Sequence, residues 1–169
     1  QLLASGPRTN PWMQEASSRV IEEGDLVGYD TDLVGAYGMM CDISRTLLAG
    51  DQPPNPRQAN LHAIANEVIA ANCELLTPGR SFRDLTHQAL LPDPDRYRHY
   101  SCLFHGVGQC DEYPDIVMPA SWATSGHDGA LETGMVLTVE SFVGSRAGGE
   151  GVKLEIQVLV TDEGPERLV

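Results

Sequence analysis

"GYDTDLVGAYGMMCDISRTLLAG", residues 28–50, sets three carboxylates, Asp30, Asp32 and Asp42, among Gly, Tyr, Met, Leu, Val and Ile. With its flanks, residues 22–51, the stretch reads as two strands about a Gly-containing turn. Strand side chains alternate faces, so Asp30 and Asp32 point the same way. Asp42 lies across the turn and can face them. Acids repeated on one face of an apolar hairpin need either water or a positive partner.

The tail repeats the anomaly. Glu140 interrupts "MVLTVESFV" (135–143) and Glu155 interrupts "VKLEIQVLV" (152–160), both segments of buried-strand composition. A buried carboxylate costs several kcal/mol unless it is paired or bound to metal. Arg45, Arg146 and Lys153 cannot offset five acids. His105, set in "HGVG", adds one imidazole. Oxygen-rich ligation with a single imidazole suits manganese, iron, cobalt or zinc, and bridging carboxylates suit two ions about 3.5–4 Å apart. The expectation is a dinuclear metal site.

Between hairpin and tail, residues 56–79 follow a helical period through Leu61, Ile64, Ala65, Val68, Ile69, Leu75 and Leu76, with Pro78-Gly79 as the stop. "SFRDLTHQALL" (81–91) starts a second helix with Ser81 as N-cap and Asp84 three residues on. A Pro- and Asp-rich loop (92–100) follows. The tail then gives two strands, 134–144 and 151–164, about the Gly-rich "SRAGGE". Strand pair, helices and strand pair imply an α+β fold, with helices on one face of a mostly antiparallel sheet. His62, His87, His99 and His127 read as surface residues.

At 169 residues the chain is about one domain long. Eleven basic against twenty-four acidic residues give a net charge of −13, which disfavours binding to phosphate backbones. No apolar run approaches the ~18 residues of a membrane span, so no membrane association and a cytoplasmic location are expected. The four cysteines, Cys41, Cys73, Cys102 and Cys110, lack CxxC spacing and read as reduced thiols. The opening residues carry no initiator Met and read as the interior of a longer chain.

The order Asp, Asp, His, Glu, Glu, carried by residues 22–50, "HGVG" (105–108), "LETGMVLTVESFVG" (131–144) and "GEGVKLEIQVLVTDEGPERL" (149–168), resembles the methionine aminopeptidase and prolidase group of metallopeptidases. The resemblance implies the pita-bread fold, with a curved sheet and helices on its outer face. Residues 1–169 would be its catalytic domain, truncated at the amino terminus. It implies metal ligation by Asp42, His105, Glu140 and Glu155. The family's first aspartate stands eleven residues before the second, whereas Asp32 and Asp30 stand ten and twelve before Asp42. A local irregularity bringing both to metal would resolve the mismatch.

Two peptidase histidines are missing. Trp12 stands in place of one, and Asp111 or Glu112 in place of the other in "HGVGQCDEYP" (105–114). Both departures resemble a branch of the same family, the metal-dependent dimethylsulfoniopropionate lyases of marine bacteria. That resemblance implies three metal-binding aspartates, two divalent ions (iron first; manganese, cobalt or zinc also fit the ligands), Asp111 as base, and a homodimer. The substrate it implies is a small zwitterion with a carboxylate and a sulfonium. Tyr100 would assist catalysis, and Trp12 and Tyr113 would offer aromatic faces to the cation. Two alternatives remain: a prolidase-like peptidase using Asp111 or Glu112 in place of histidine, and a non-catalytic pita-bread domain that binds peptides.

Overall fold

The computed structural model describes residues 2–12 and 14–169. The hairpin forms as expected: β2 (Leu26–Val34) pairs with β3 (Met40–Leu48), and β1 (Leu2–Ser5), absent from the sequence reading, adds antiparallel to β2. A second, entirely antiparallel sheet holds β5 (Cys102–Gly106), β6 (Asp115–Val117), β7 (Val136–Ser145), β8 (Gly151–Thr161) and β9 (Gly164–Arg167) in the order β6-β5-β7-β8-β9. The two-residue β4 (Tyr97–Arg98) pairs with β7.

Period two sorts the long tail strands. Leu137, Val139 and Val143 of β7 and Val152, Leu154, Val158 and Val160 of β8 belong to the buried apolar core. The alternate residues Lys153, Glu155 and Gln157 are also buried, so the opposite face of β8 is a buried polar stripe. That stripe receives β3. Thr46 Oγ1 donates to the Lys153 carbonyl (2.8 Å) and accepts from the Lys153 N–H (2.9 Å), and Gln157 Nε2 donates to the Asp42 carbonyl (3.3 Å). Side chains thus stitch one sheet to the other.

Helix α1 (Pro56–Cys73) covers the apolar face with Leu61, Ala65, Val68 and Ile69. Its start is fixed by a reciprocal capping box between Asn55 and Gln58 and by Pro56 in the first turn. It stops at Cys73, earlier than the apolar period predicts. The Leu75 and Leu76 N–H groups turn back to the Asn72 and Cys73 carbonyls (3.1 and 3.0 Å), and Leu76 enters the core from that turn. Asn72 is committed to the Leu90 backbone, donating to its carbonyl (3.1 Å) and accepting from its N–H (2.7 Å). Helix α2 (Phe82–Gln88) is capped by Ser81, whose Oγ accepts from Asp84 N–H at 3.0 Å, and a single-turn α3 (Trp122–Ser125) follows β6.

Gly106, at the end of β5, is fixed by close approach. A Cβ there would stand 2.1 Å from the Tyr113 carbonyl oxygen, because the chain returns against it and the Gly106 N–H donates to the Pro114 carbonyl at 2.9 Å. Gly106→Ala forces the 107–114 segment outward, and denaturant unfolding should read a loss of ~1–3 kcal/mol, the usual cost of overpacking. Wild-type stability in that variant would contradict the packing described.

Candidate metal centre

The junction of the two sheets gathers the acids. In the β2–β3 register Asp32 stands directly opposite Asp42, and Asp30 opposite Ser44. In the β7–β8 register Glu140 stands directly opposite Glu155. The hairpin register is unbroken from Leu26 to Val34, so the expected irregularity is absent. Plain alternation puts Asp30 and Asp32 on one face, and Ser44 rather than a second acid meets Asp30. Its Oγ donates to Asp30 Oδ1 at 2.6 Å.

His105, on β5, is the hub. Its Nε2 lies 3.6 Å from Asp42 Oδ2, 3.5 Å from Glu140 Oε1 and 3.6 Å from Glu155 Oε1. One ring nitrogen cannot bond three carboxylates. Donors about 2.1 Å from a common metal stand about 3.0–3.5 Å from each other, and the 3.5–3.6 Å found here lies at the upper edge of that range. Nδ1 faces the Gly106 carbonyl at 3.2 Å, a contact that would hold the proton on Nδ1 of the neutral, metal-bound ring and leave Nε2 as the lone-pair donor. Among the described residues no hydrogen-bond partner reaches Asp42 Oδ1 or Glu155 Oε1, although both atoms are buried. Buried acceptors without donors are what a cation would satisfy. The donor set therefore fits a metal.

Two donor groups emerge, and Asp42 belongs to both. Asp42, His105 and Glu155 bring one ligand atom each within 4.8 Å of one another, and so do Asp32, Asp42 and Asp111. Asp111 thus stands at the second group itself, 4.0 Å from His105 Nδ1. Asp30 and Glu140 belong to neither triad but line the same cavity of about 320 Å³, with Asp32, Asp42, Tyr100, Cys102, His105, Glu112, Asp115, Ser121 and Ser125 also on its walls.

Burial, and then the charges of Glu155, Asp30 and Asp32, push Asp42 up to about 8. Burial and Glu140 push Glu155 up to about 7. Burial disfavours the charged His105, yet contact with Glu140 and the charge of Glu155 outweigh it and lift the ring to about 9. Glu140 is different. Burial opposes its charge, but Lys153 and His105 hold it below the usual carboxylate range.

Trp12 packs against Phe142, ring centroids 6.4 Å apart, and beneath Gly28, so it sits in the core and not on the cavity wall. Tyr113 is 66% exposed and stacks on His127 at 5.8 Å, also off the wall. His127, read from sequence as a surface residue, is half-buried between Tyr113 and Phe82. Tyr100 does line the cavity, its phenol raised by burial and by Glu140. Sequence reasoning missed Cys102 and Asp115. The Cys102 thiol donates to Asp115 Oδ1 at 3.1 Å, and Asp115 stands opposite His105 on the neighbouring strand. Short edge pairing with a bulge between Cys102 and Phe104 left no periodic signal to find them.

Two sheets meeting over this carboxylate and imidazole set define a pita-bread domain with a candidate metal centre. A model of metallopeptidase family M24 matches residues 1–162, and the chain belongs to that family. The dimethylsulfoniopropionate lyase DddP of Roseovarius nubinhibens is 43% identical over 169 residues, 99% of this chain and 38% of that protein. The Xaa-Pro dipeptidase of Pyrococcus furiosus is 32% identical over 174 residues, 99% of this chain and 46% of that protein. The solved prolidase from Pyrococcus furiosus superposes with a TM-score of 0.77 at 30% identity, over 99% of this chain and 48% of that one. The chain thus spans less than half the length of these relatives.

Asp42, Glu155 and His105 all bind protons more tightly in the folded, metal-free state than ordinary carboxyl and imidazole groups do. The stability each contributes is complete below its unfolded pKa, about 4 for the carboxyls and about 6.5 for the ring, and is lost as pH rises through the folded value. The metal-free protein should therefore melt at progressively lower temperature from about pH 5 to pH 9. Added Mn(II) should raise the melting temperature more at about pH 8 than at about pH 6, because metal must displace those protons. A pH-independent metal effect in thermal melts would contradict this.

Proposed function

We propose that the protein is a metal-dependent lyase that cleaves dimethylsulfoniopropionate to acrylate and dimethyl sulfide by β-elimination. The observation that carries the reading is Asp111 at the rim of an intact donor set, grouped with Asp32 and Asp42 where the peptidases place a histidine. The 43% identity to a relative named for this activity supports it. We assign Asp30, Asp32, Asp42, His105, Glu140 and Glu155 to two divalent ions, with iron the metal proposed. A cytoplasmic homodimer completes the reading.

Bound ions would supply positive charge toward the substrate carboxylate, offsetting the negative charge that builds there as the α-proton leaves. Asp111 takes that proton. The C–H electron pair becomes the double bond of acrylate, and the C–S pair departs with dimethyl sulfide. Tyr100, kept as a phenol, orients the substrate from the wall. With Trp12 in the core and Tyr113 facing outward, the sulfonium end is assigned to the acidic wall of Glu112 and Asp115.

Asp111→Asn in the full-length protein should lower dimethyl sulfide release by ~10²–10⁴-fold, the usual worth of a general base, with metal content retained. Headspace gas chromatography and elemental analysis check both; near-normal release sinks the assignment, and cleavage of an Xaa-Pro dipeptide by the wild type would favour a peptidase. Asp115→Asn should raise KM for the sulfonium substrate several-fold with kcat little changed, as expected for a carboxylate that holds the cation without joining the chemistry.

A further inference from the structure

Lys153 has no exposure to solvent at all, and it sits near the start of β8 with its side chain on the metal-centre face. Its ammonium touches Glu140 Oε2 in a close ion pair, lies 3.5 Å from Glu155 Oε2 and donates to Ser44 Oγ at 2.9 Å. Ser44 in turn bonds Asp30 Oδ1 at 2.6 Å and Glu155 Oε2 at 2.9 Å. Tyr100 lays its ring over the same ammonium, 4.5 Å from the centroid.

The oxygens divide cleanly. Oε2 of both glutamates and Oδ1 of Asp30 belong to the Lys153–Ser44 pair. Oε1 of both glutamates turns the other way, to His105 Nε2. A carboxylate free to spin about its last bond would present either oxygen; here one is tied and the other is aimed.

We infer that Lys153, acting with Ser44, is the positioning residue of the metal centre: it fixes the outer oxygens of Glu140 and Glu155 so that their inner ones converge on His105 Nε2, while Ser44 ties Asp30 Oδ1. Stability does not explain it. A buried ion pair contributes little to folding relative to well-packed apolar groups of the same volume, because desolvation offsets the attraction. Orientation of ligands does explain it, since partners behind metal-bound carboxylates set affinity. Methionine has nearly the same stem and fills the same space, so Lys153→Met removes the charge and its hydrogen bonds while keeping the packing.

The inference rests on the metal reading of the site and is independent of the substrate. Metal-free full-length protein is titrated with Mn(II) and with Co(II), calorimetrically and by the visible Co(II) spectrum, for wild type, Lys153→Met, Lys153→Arg and Ser44→Ala. Lys153→Met should bind ~10–100-fold more weakly, the usual cost of losing a partner behind a ligand, with a Co(II) spectrum changed in band position. Lys153→Arg should recover part of the affinity, and Ser44→Ala should fall between. Circular dichroism of the metal-free proteins verifies folding, and the Ser44→Ala and Lys153→Arg comparisons carry the test if Lys153→Met does not fold. Unchanged or tighter binding with an unaltered Co(II) spectrum overturns the role of Lys153. Failure of the wild type itself to bind either ion overturns the metal reading instead.

Discussion

Like charges set directly opposite each other across paired strands are the constraint on which this structure depends. Asp32 faces Asp42 on one hairpin and Glu140 faces Glu155 on the other. Each pair repels. The fold does not separate them; it packs the two hairpins together so that Asp32, Asp42 and Glu140 line one cavity and Glu155 is buried against His105. Among the described residues, His105 and Lys153 are the cations that pair with Glu140 and Glu155, and they serve opposite ends of the same carboxylates. The protons retained by Asp42 and His105 in the metal-free state are the mark of a site with more negative charge than its built-in cations offset.

The remaining architecture can be understood as support for that junction. The apolar faces of β7 and β8 are covered by α1, whose capping box and buried ridge hold the sheet in place. The polar face of β8 is joined to β3 through side chains rather than a ladder, by Thr46 and Gln157. A continuous ladder would impose one spacing between the sheets. Side-chain bonds let β3 lie at the distance that brings Asp42 against His105.

Alternation of side chains is enough to identify the hairpin acids and to place Glu140 and Glu155 in buried strands, whereas the grouping of Asp111 with Asp32 and Asp42 has no periodic signal. Register was not legible in the sequence either. The odd spacing of Asp30 and Asp32 suggested a bulge, whereas the strand is regular and Ser44 occupies the position opposite Asp30. The end of α1 was overrun because Leu75 and Leu76 continue the apolar pattern after the backbone has turned. Lys153 was counted as one cation against five acids, an arithmetic that hides its geometry: its contacts come from β3 and β7, more than a hundred and a dozen residues away in sequence respectively. Trp12 was placed by its position in a motif, and packing against Phe142 decided otherwise.

Replacement of one peptidase histidine by an acid, Asp111 or Glu112, makes chemical sense under the proposed lyase reading once the leaving groups are compared. An amine expelled from a peptide must gain a proton as it departs, so a residue that can both take and return one near neutral pH is needed, and imidazole fits that cycle. A sulfonium departs as a neutral sulfide and needs no proton. The proposed elimination then asks only for a base beside the substrate carboxylate, and a carboxylate can take that proton. In the proposed reading Asp111 is that base, standing beside Asp32 and Asp42.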